Sequence, residues 1–514
     1  MPKLDPEPLM SFEPGYPWKN KHRNLSFTAL RLYNAWNRTA NGQEPTRQRW
    51  RAGLNALRRI VTDAETAGRR VRAYGGAWSI SQAAECHDFL INTKPLNYVS
   101  IGLTKGQVLA AWVERAPRLV FAQCGVHVME LHSALEGASL ALPTSGASNG
   151  QTFAGAVSTG THGAAWTVGS MQDYVRGIHL VVEGGRHLYI EPASMPVVSK
   201  AYIDTLGAEL RRGDALFRAA LVSFGSFGII HGLLFEAAPL YELSKYRFLA
   251  DHAEALAFTD LDFTKFARAR PGLPPAVPYH FEITLNPYRS GAGQVGAFVT
   301  AMYHLTGATP TGEVPTSGGY EPGDDVISLL GELTDVVPAS IPELTTKLVE
   351  AQLKPASGER ATPGKTFGSS SIRGNVLSSE LAVSLADSRR ALEGIVDVAK
   401  EFPFPGLIAA RFVRSSAATL AFTRFAPISC TVELPGAGSA RTTEFHQRVF
   451  QRLDQDGIRF TLHWGQWGDY SAARVRSMYG ASVEMWLSER RKLLSAAGRR
   501  MFSNPFLEGC GLSE

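Results

Sequence analysis

Three short segments carry the residue types that bind anions through the backbone: "RAYGGAWS" (72–79), "PTSGASNGQTFAGAVSTGTHGAA" (143–165) and "SFGSFGIIHG" (223–232). Each sets glycines beside hydroxyl residues, so the backbone can approach a ligand closely and turn successive N–H groups onto it. A pyrophosphate is the guest this chemistry suits. A lone pair of glycines usually marks a turn. Three such segments within about 160 residues, the middle one without a carboxylate, lysine or arginine, call for more than turns.

The common nucleotide signatures are missing. None of the segments is a GxGxxG between a strand and a helix with an acidic residue about twenty positions on, and no GxxxxGK[ST] occurs. Gly146-Ala147-Ser148-Asn149-Gly150 matches the GxSxG of a hydrolase nucleophile elbow. The run after Ser148 has no amphipathic pattern, so the strand-turn-helix setting of that elbow is not expected.

Side chains able to do chemistry cluster later in the chain. His280, Glu282 and Thr284 alternate with Phe281, Ile283 and Leu285, which puts the three polar groups on one face of a strand, either solvated or lining a pocket. Glu380 and Glu433 also lie in strand-like runs, and either could act as a base. Arg411 sits inside the apolar run "LIAARFVRS", and His463 in "RFTLHWGQWG".

The elements that must position these groups can be read from periodicity. Leu54, Leu57, Ile60, Val61 and Ala64 recur at helical spacing and stop at Gly68. A strand through Val71 and Ala73 should then feed the first glycine turn, with a second strand at "DFLINT" and a β/α stretch from Leu119 to Leu142. "GIHLVVEGGRHLYIEP" reads as a hairpin turning at Glu183–Arg186. Residues 214–240 read as helix, glycine turn and strand. Beyond Tyr241, long strands alternate with helices, and two polar stretches, "GATPTGEVPTSGGYEPGDD" and "KPASGERATPGKTFGSSS", read as long loops.

Composition narrows the class. A chain of 514 residues with 44% hydrophobic content is long enough for two or three domains. Lys plus Arg (52) barely exceed Asp plus Glu (47), and no block of like charge occurs, so neither nucleic acid nor an anionic membrane is an expected partner. Four cysteines without CxxC spacing argue against a disulfide frame and a structural zinc site, and no metal is expected. With no signal-like N-terminus and no membrane-length apolar run, the expected compartment is the cytoplasm.

In order and spacing, the three glycine segments resemble the flavin domain of the vanillyl-alcohol oxidase and p-cresol methylhydroxylase type: its pyrophosphate loop, its "AGAxxTGTHG" strap and its "GxxGIIxxxxF" strand. The C-terminal "LHWGQWGDY" and "RRMFSNPFLEGCGL" further resemble the aldonolactone and alditol oxidase branch. The resemblance implies an α+β fold. A two-subdomain FAD-binding domain over 1–242 would regain the chain at 456–514, and 243–455 would form an α+β cap with an antiparallel sheet over the isoalloxazine.

By the same resemblance, Tyr74, Gly75, Gly76, Ala77, Trp78 and Ser79 form the pyrophosphate loop. Gly146, Ser148, Asn149, Thr152, Gly155, Ser158, Thr159, Gly160, Thr161, His162 and Gly163 form the second strap, and Gly228 and Ile230 meet the cofactor from the third segment. His162 is either catalytic or a structural hydrogen-bonding group. The loop in this family often ends His-Ser, with that histidine bonded to the flavin; here Trp78-Ser79 stands instead, which implies non-covalent FAD.

The substrate-gripping residues also depart from the pattern. The serine, the Glu-x-Arg pair and the lysine of alditol oxidases fall on Ala147, Ala409 with Arg411, and Gln466. Sites built around hydroxyl groups discriminate through such contacts, so a substrate less polar than a simple polyol is expected. Arg411 is either a surface ion-pair partner or a cation near the flavin pyrimidine. His463 is either a general base or a group that orders the chain beneath the ring. The catalytic candidates are Arg411, His463, Glu282 and Glu433. Gly146 beside the flavin would admit oxygen and favour an oxidase.

The expected activity is an FAD-dependent oxidoreductase that takes hydride from a CH–OH or CH–NH carbon of a small molecule and passes electrons to oxygen. The alternatives are a dehydrogenase with another acceptor and a flavin-fold protein without net redox chemistry. The sequence does not fix the oligomeric state.

Overall fold

A computed structural model describes residues 7–39, 48–309, 338–368 and 376–514. The helix expected from Leu54 runs over Arg49–Thr66 and buries Leu54, Leu57, Ile60, Val61 and Ala64 on one side. It stops where Gly68 takes a left-handed φ of 62°. Its buried side joins a core shared with strands of two neighbouring sheets, among them Val71, Phe89, Val120 and Ile178.

The first sheet has four strands in the order Pro8–Lys19, Ser26–Thr39, Phe89–Asn92, Val71–Tyr74. The second has six, in the order Glu209–Arg212, His187–Glu191, Val175–Val181, Ile229–Glu236, Leu119–Gln123, Val99–Ile101. The expected hairpin is its Val175–Val181 and His187–Glu191 pair. Gly184 and Gly185 both adopt positive φ at the turn, a conformation that strains any residue with a Cβ.

The third sheet is wholly antiparallel and has eight strands: Ala356–Ala361, Tyr241–Ala250, Ala297–Thr306, His280–Leu285, Ile408–Arg414, Ile428–Ala437, Val376–Ser384 and Phe460–Leu462. The α+β class with an antiparallel sheet in the second half of the chain is therefore observed. The last strand comes from the C-terminal region and pairs with Val376–Ser384 at one edge.

Two local expectations are corrected. The stretch 354–368 is no simple loop: Ala356–Ala361 forms an edge strand and Pro363–Thr366 a helical turn started by its proline. Most of the other polar stretch, and the end of this one, lie outside the described residues. A seven-residue helix, Phe153–Thr159, comes a few residues after Ser148. Thr152 Oγ1 accepts from the Gly155 N–H at its start, and Gly160 closes it at φ 87°. Ser148 itself is not at the helix start, so the helix does not restore a nucleophile elbow.

Candidate active site

The first glycine segment leaves the Val71–Tyr74 strand and turns sharply, with Ala77 at φ 58°. Its carbonyls are held from outside. Ala77 O accepts from the Lys21 N–H at 2.8 Å, while Ser79 O and Ile80 O accept from the Asn20 and Asn24 side chains at 2.9 Å each. Among the described residues, the N–H groups of Gly75 to Ser79 donate to no protein acceptor. Five consecutive backbone donors thus line one wall of a cleft. That arrangement is an anion-binding nest.

The glycines here are required by packing. A Cβ on Gly75 would fall 2.0 Å from Thr152 Oγ1, and one on Gly76 2.5 Å from the Gly150 carbonyl oxygen. A Cβ on Gly150 would lie 2.2 Å from the Trp78 ring, and one on Gly163 2.4 Å from Ser145 O. The first two segments therefore lie backbone against backbone, with the Trp78 indole laid over Gly150 and its edge against His22. Gly146 has a packing reason of the same kind, since its Cβ would meet the Thr161 methyl at 2.9 Å. Gly228, at φ 134°, backs onto the Val181 carbonyl where the third segment enters the six-stranded sheet.

The cleft has about 1660 Å³ of empty space, its open mouth included, enough for a dinucleotide. Of the expected cofactor residues it is lined by Tyr74, Gly75, Gly76, Ala77, Trp78, Ser79, Gly146, Ser148, Thr152, Gly155, Ser158, Thr159, Thr161, His162, Gly228 and Ile230. Asn149, Gly160 and Gly163 stand behind this wall. Asn149 is fully buried, and neither polar atom of its amide has a partner among the described residues.

The far end of the cleft is built by the eight-stranded sheet. Glu282 is paired with Arg411, Ala409 with Glu433, and Glu433 with Glu380 in the strand register, so the four charged side chains share one face. Arg411 Nε donates to Glu282 at 2.7 Å and Nη1 to Glu433 at 2.7 Å, with Glu380 at 3.8 Å. Burial disfavours the guanidinium charge, but Glu282, Glu433 and Glu380 together outweigh it and hold its pKa well above the usual value. The face of His280, Glu282 and Thr284 is buried and not solvated. Arg411, Glu433 and His463 line the cleft, whereas Glu282 stands behind Arg411.

Two histidines complete the wall. His162 Nε2 meets Glu380 Oε1 at 2.9 Å and its Nδ1 meets Gly163 O at 2.7 Å. Both ring nitrogens are thus engaged with protein oxygen atoms. Burial raises the Glu380 pKa, but His162 first, then His463 and Arg411, overcome this and hold it at about 2. His463 differs: its Nδ1 accepts from the Gly465 N–H at 3.0 Å, so the ring proton sits on Nε2. Burial lowers its pKa to about 4. The same turn ties the two halves of the site, because Gly465 O accepts from the Ile80 N–H at 2.8 Å and Trp464 O from Ser81 Oγ at 2.6 Å.

Sequence reading missed Trp18, His22, Gln151 and Ser378 in the cleft lining and gave Glu380 no place among the leading candidates. Gln151, Gln466, His22 and Arg411 share one property: each lines the cleft with a buried polar atom that has no partner among the described residues, namely Gln151 Oε1, Gln466 Oε1, His22 Nδ1 and Arg411 Nη2. Buried polar groups are rarely left so. Together with the nest, they fit a large polar cofactor with an anionic waist. No group of side chains suited to hold a metal ion occurs among the described residues, and no helix there is long and apolar enough to cross a membrane.

Comparison with known proteins agrees with this geometry. Residues 53–190 match the family model described as FAD binding domain. D-arabinono-1,4-lactone oxidase of Yarrowia lipolytica is 26% identical over 193 residues, 37% of this chain and 32% of that protein. The alditol oxidase of a Streptomyces species is 28% identical over 157 residues, 30% and 32% of the two chains. The chain thus spans about a third of the length of these curated relatives. L-gulono-1,4-lactone dehydrogenase of Mycobacterium tuberculosis is 23% identical over 430 residues, 82% and 86% of the two. The crystal structure of cholesterol oxidase from B. sterolicum superposes over 99% of both chains with a TM-score of 0.69 at 13% identity, a likeness of fold. Residues 53–190 thus match an FAD binding domain, and the chain is similar in part to aldonolactone and alditol oxidases and in fold to cholesterol oxidase.

Proposed function

We propose that the protein is an FAD-dependent oxidoreductase acting as an oxidase on a CH–OH or CH–NH group of a small molecule. The observation that carries this is the cleft itself, with five backbone donors at one end and a buried arginine–carboxylate cluster at the other. Gly75 to Ser79 would hold the pyrophosphate, with the second strap and Ile230 along the rest of the cofactor. The bound flavin would supply the two-electron acceptor. Arg411 would place a fixed positive charge where reduction creates negative charge, in a buried setting where that charge would act strongly.

Residues 1–242 and 456–514 would hold FAD and 243–455 would cap it, with the Phe460–Leu462 strand as the seam between the two. FAD would be held without a covalent bond, since Trp78 occupies the tethering position and an indole offers no suitable nucleophile. The substrate would be less polar than a polyol: Ala147, Val376 and Pro435 line the cleft, and Gln466 replaces a lysine. The compartment proposed is the cytoplasm, a reading supported by four free, buried cysteines.

The test is direct. Purified protein should be yellow, bleach under anaerobic conditions with a substrate, and release peroxide in air. A dehydrogenase is the second reading, because a relative that aligns over most of the chain carries that name. Bleaching without peroxide formation would select it.

A further inference from the structure

We propose that Glu433 is the base that takes the proton from a substrate hydroxyl held by Arg411 Nη2, and that the group oxidised is therefore an alcohol and not an amine. This rests on the FAD-dependent reading above.

The neighbours differ in the lone pairs and hydrogens they have left to offer. Both nitrogens of His162 are already engaged with protein oxygen atoms, so neither is turned to a substrate. His463 uses its lone pair on the Gly465 N–H and presents Nε2–H, a donor. Glu282 is 1% exposed and lies behind Arg411, outside the cleft lining. Glu380 also lines the cleft, but its side chain is only 5% exposed, with Oε1 held by His162 Nε2 at 2.9 Å and faced by Arg411 Nη1 at 3.8 Å. Glu433 is the carboxylate whose side chain is 19% exposed and lines the cleft, fixed by Arg411 Nη1 at 2.7 Å and by Ser378 Oγ at 3.4 Å. Its position has a structural origin. It stands opposite Ala409 in the strand register, and alanine there leaves room beside Arg411 for a carboxylate from the adjacent strand.

Beside the His463 Nε2–H, Arg411 offers Nη2, a buried donor without a partner among the described residues. It needs an acceptor. A hydroxyl oxygen can accept from Nη2 while its own hydrogen points to Glu433. An ammonium has no lone pair to offer and would set a second cation against the guanidinium. An unprotonated alkylamine could accept, yet near pH 7 it is about a thousandfold minority species.

In the reaction the O–H bond breaks and its proton passes to a Glu433 carboxylate oxygen. The C–H hydrogen leaves with its bonding pair as a hydride, for which the bound flavin would be the acceptor, and the C=O bond of the product forms. The substrate is oxidised by two electrons and the cofactor reduced by two.

The decisive experiment uses the FAD-loaded protein at neutral pH and two probes that cannot be oxidised, 1,1,1,3,3,3-hexafluoro-2-methyl-2-propanol, which keeps its hydroxyl proton there, and tert-butylammonium. Infrared difference spectra on binding the alcohol should show a protonated-carboxyl C=O stretch that disappears in Glu433→Gln, whose flavin content and melting temperature serve as the folding control. Glu433→Asp should restore the band if the glutamine variant misfolds. Turnover of an alcohol substrate by Glu433→Gln should fall about 10²- to 10⁴-fold in kcat with a smaller change in KM, the range expected for loss of a general base. Tighter binding of the ammonium than of the alcohol, binding of neither, or a carboxyl band that survives in Glu433→Gln would each overturn the proposal while FAD binding stands. Protein that takes up no FAD would instead overturn the reading on which it rests.

Discussion

The two ends of the cleft are built on opposite principles. At the glycine-loop end the cleft-facing groups are backbone N–H donors, and the side chains there are small or apolar so that two chain segments can lie in contact. At the other end the backbone is consumed by an eight-stranded sheet, and charged side chains from four strands form the wall: Arg411, Glu433 and Glu380 line the cleft and Glu282 stands behind Arg411. The first end needs the absence of side chains, and the second needs four of them in register. Substitutions should therefore fail in different ways.

The largest effect is expected at the charged end. Arg411→Met removes the shared partner of Glu282 and Glu433 and leaves buried carboxylates uncompensated, a loss of about 3–5 kcal/mol. Chemical denaturation would measure it, and a change below about 1 kcal/mol would mean that the wall does not depend on this cation. At the backbone end, Gly76→Val forces a Cβ against the Gly150 carbonyl. The expected cost is about 1–3 kcal/mol of stability together with loss of FAD from the purified protein. A stable, yellow Gly76→Val protein would refute the close strap-on-strap packing.

Acid should act on the fold as a whole, through His132, His231, His446 and His463, all buried, of which only His463 lines the cleft. Burial lowers the pKa of His132 and His446, like that of His463, to about 4, and that of His231 to about 3. The unfolded chain takes up these protons near the ordinary value of 6.5, and the native protein refuses them until far lower pH. Stability from this source is thus complete above 6.5 and is lost as pH falls toward 4, by about 2 kcal/mol per histidine at pH 5. Thermal melts at pH 7 and pH 5 would check the sign; equal melting temperatures would contradict it. The smallest effect is expected for Trp78→Phe, which keeps a ring over Gly150 and should weaken FAD binding by about 1 kcal/mol or less.

The same contrast explains what the sequence revealed. The cofactor end is contiguous: "RAYGGAWS" and "AGAVSTGTHG" are continuous runs whose composition states their chemistry, and the helix of Leu54 to Ala64 comes from simple periodicity. The charged end is assembled by pairing strands that lie far apart in the chain. Nothing in "HFEITL" announces that Glu282 will lie opposite Arg411, and nothing in "CTVELPG" that Glu433 will stand over Ala409. His22 escaped sequence reading because its role depends on the turn at residues 20–24 meeting the outer side of the pyrophosphate loop. The Ala356–Ala361 strand was hidden by its Gly, Ser and Glu content; it is an edge strand, and the sheet supplies the order that its composition lacks.

The visible absorption spectrum of the purified protein incubated with FAD, before and after anaerobic addition of an alcohol series, tests the central claim most directly. Flavin bands should stay with the protein through gel filtration, leave it on denaturation, and bleach with at least one alcohol. A folded protein that remains colourless at saturating FAD would contradict the claim.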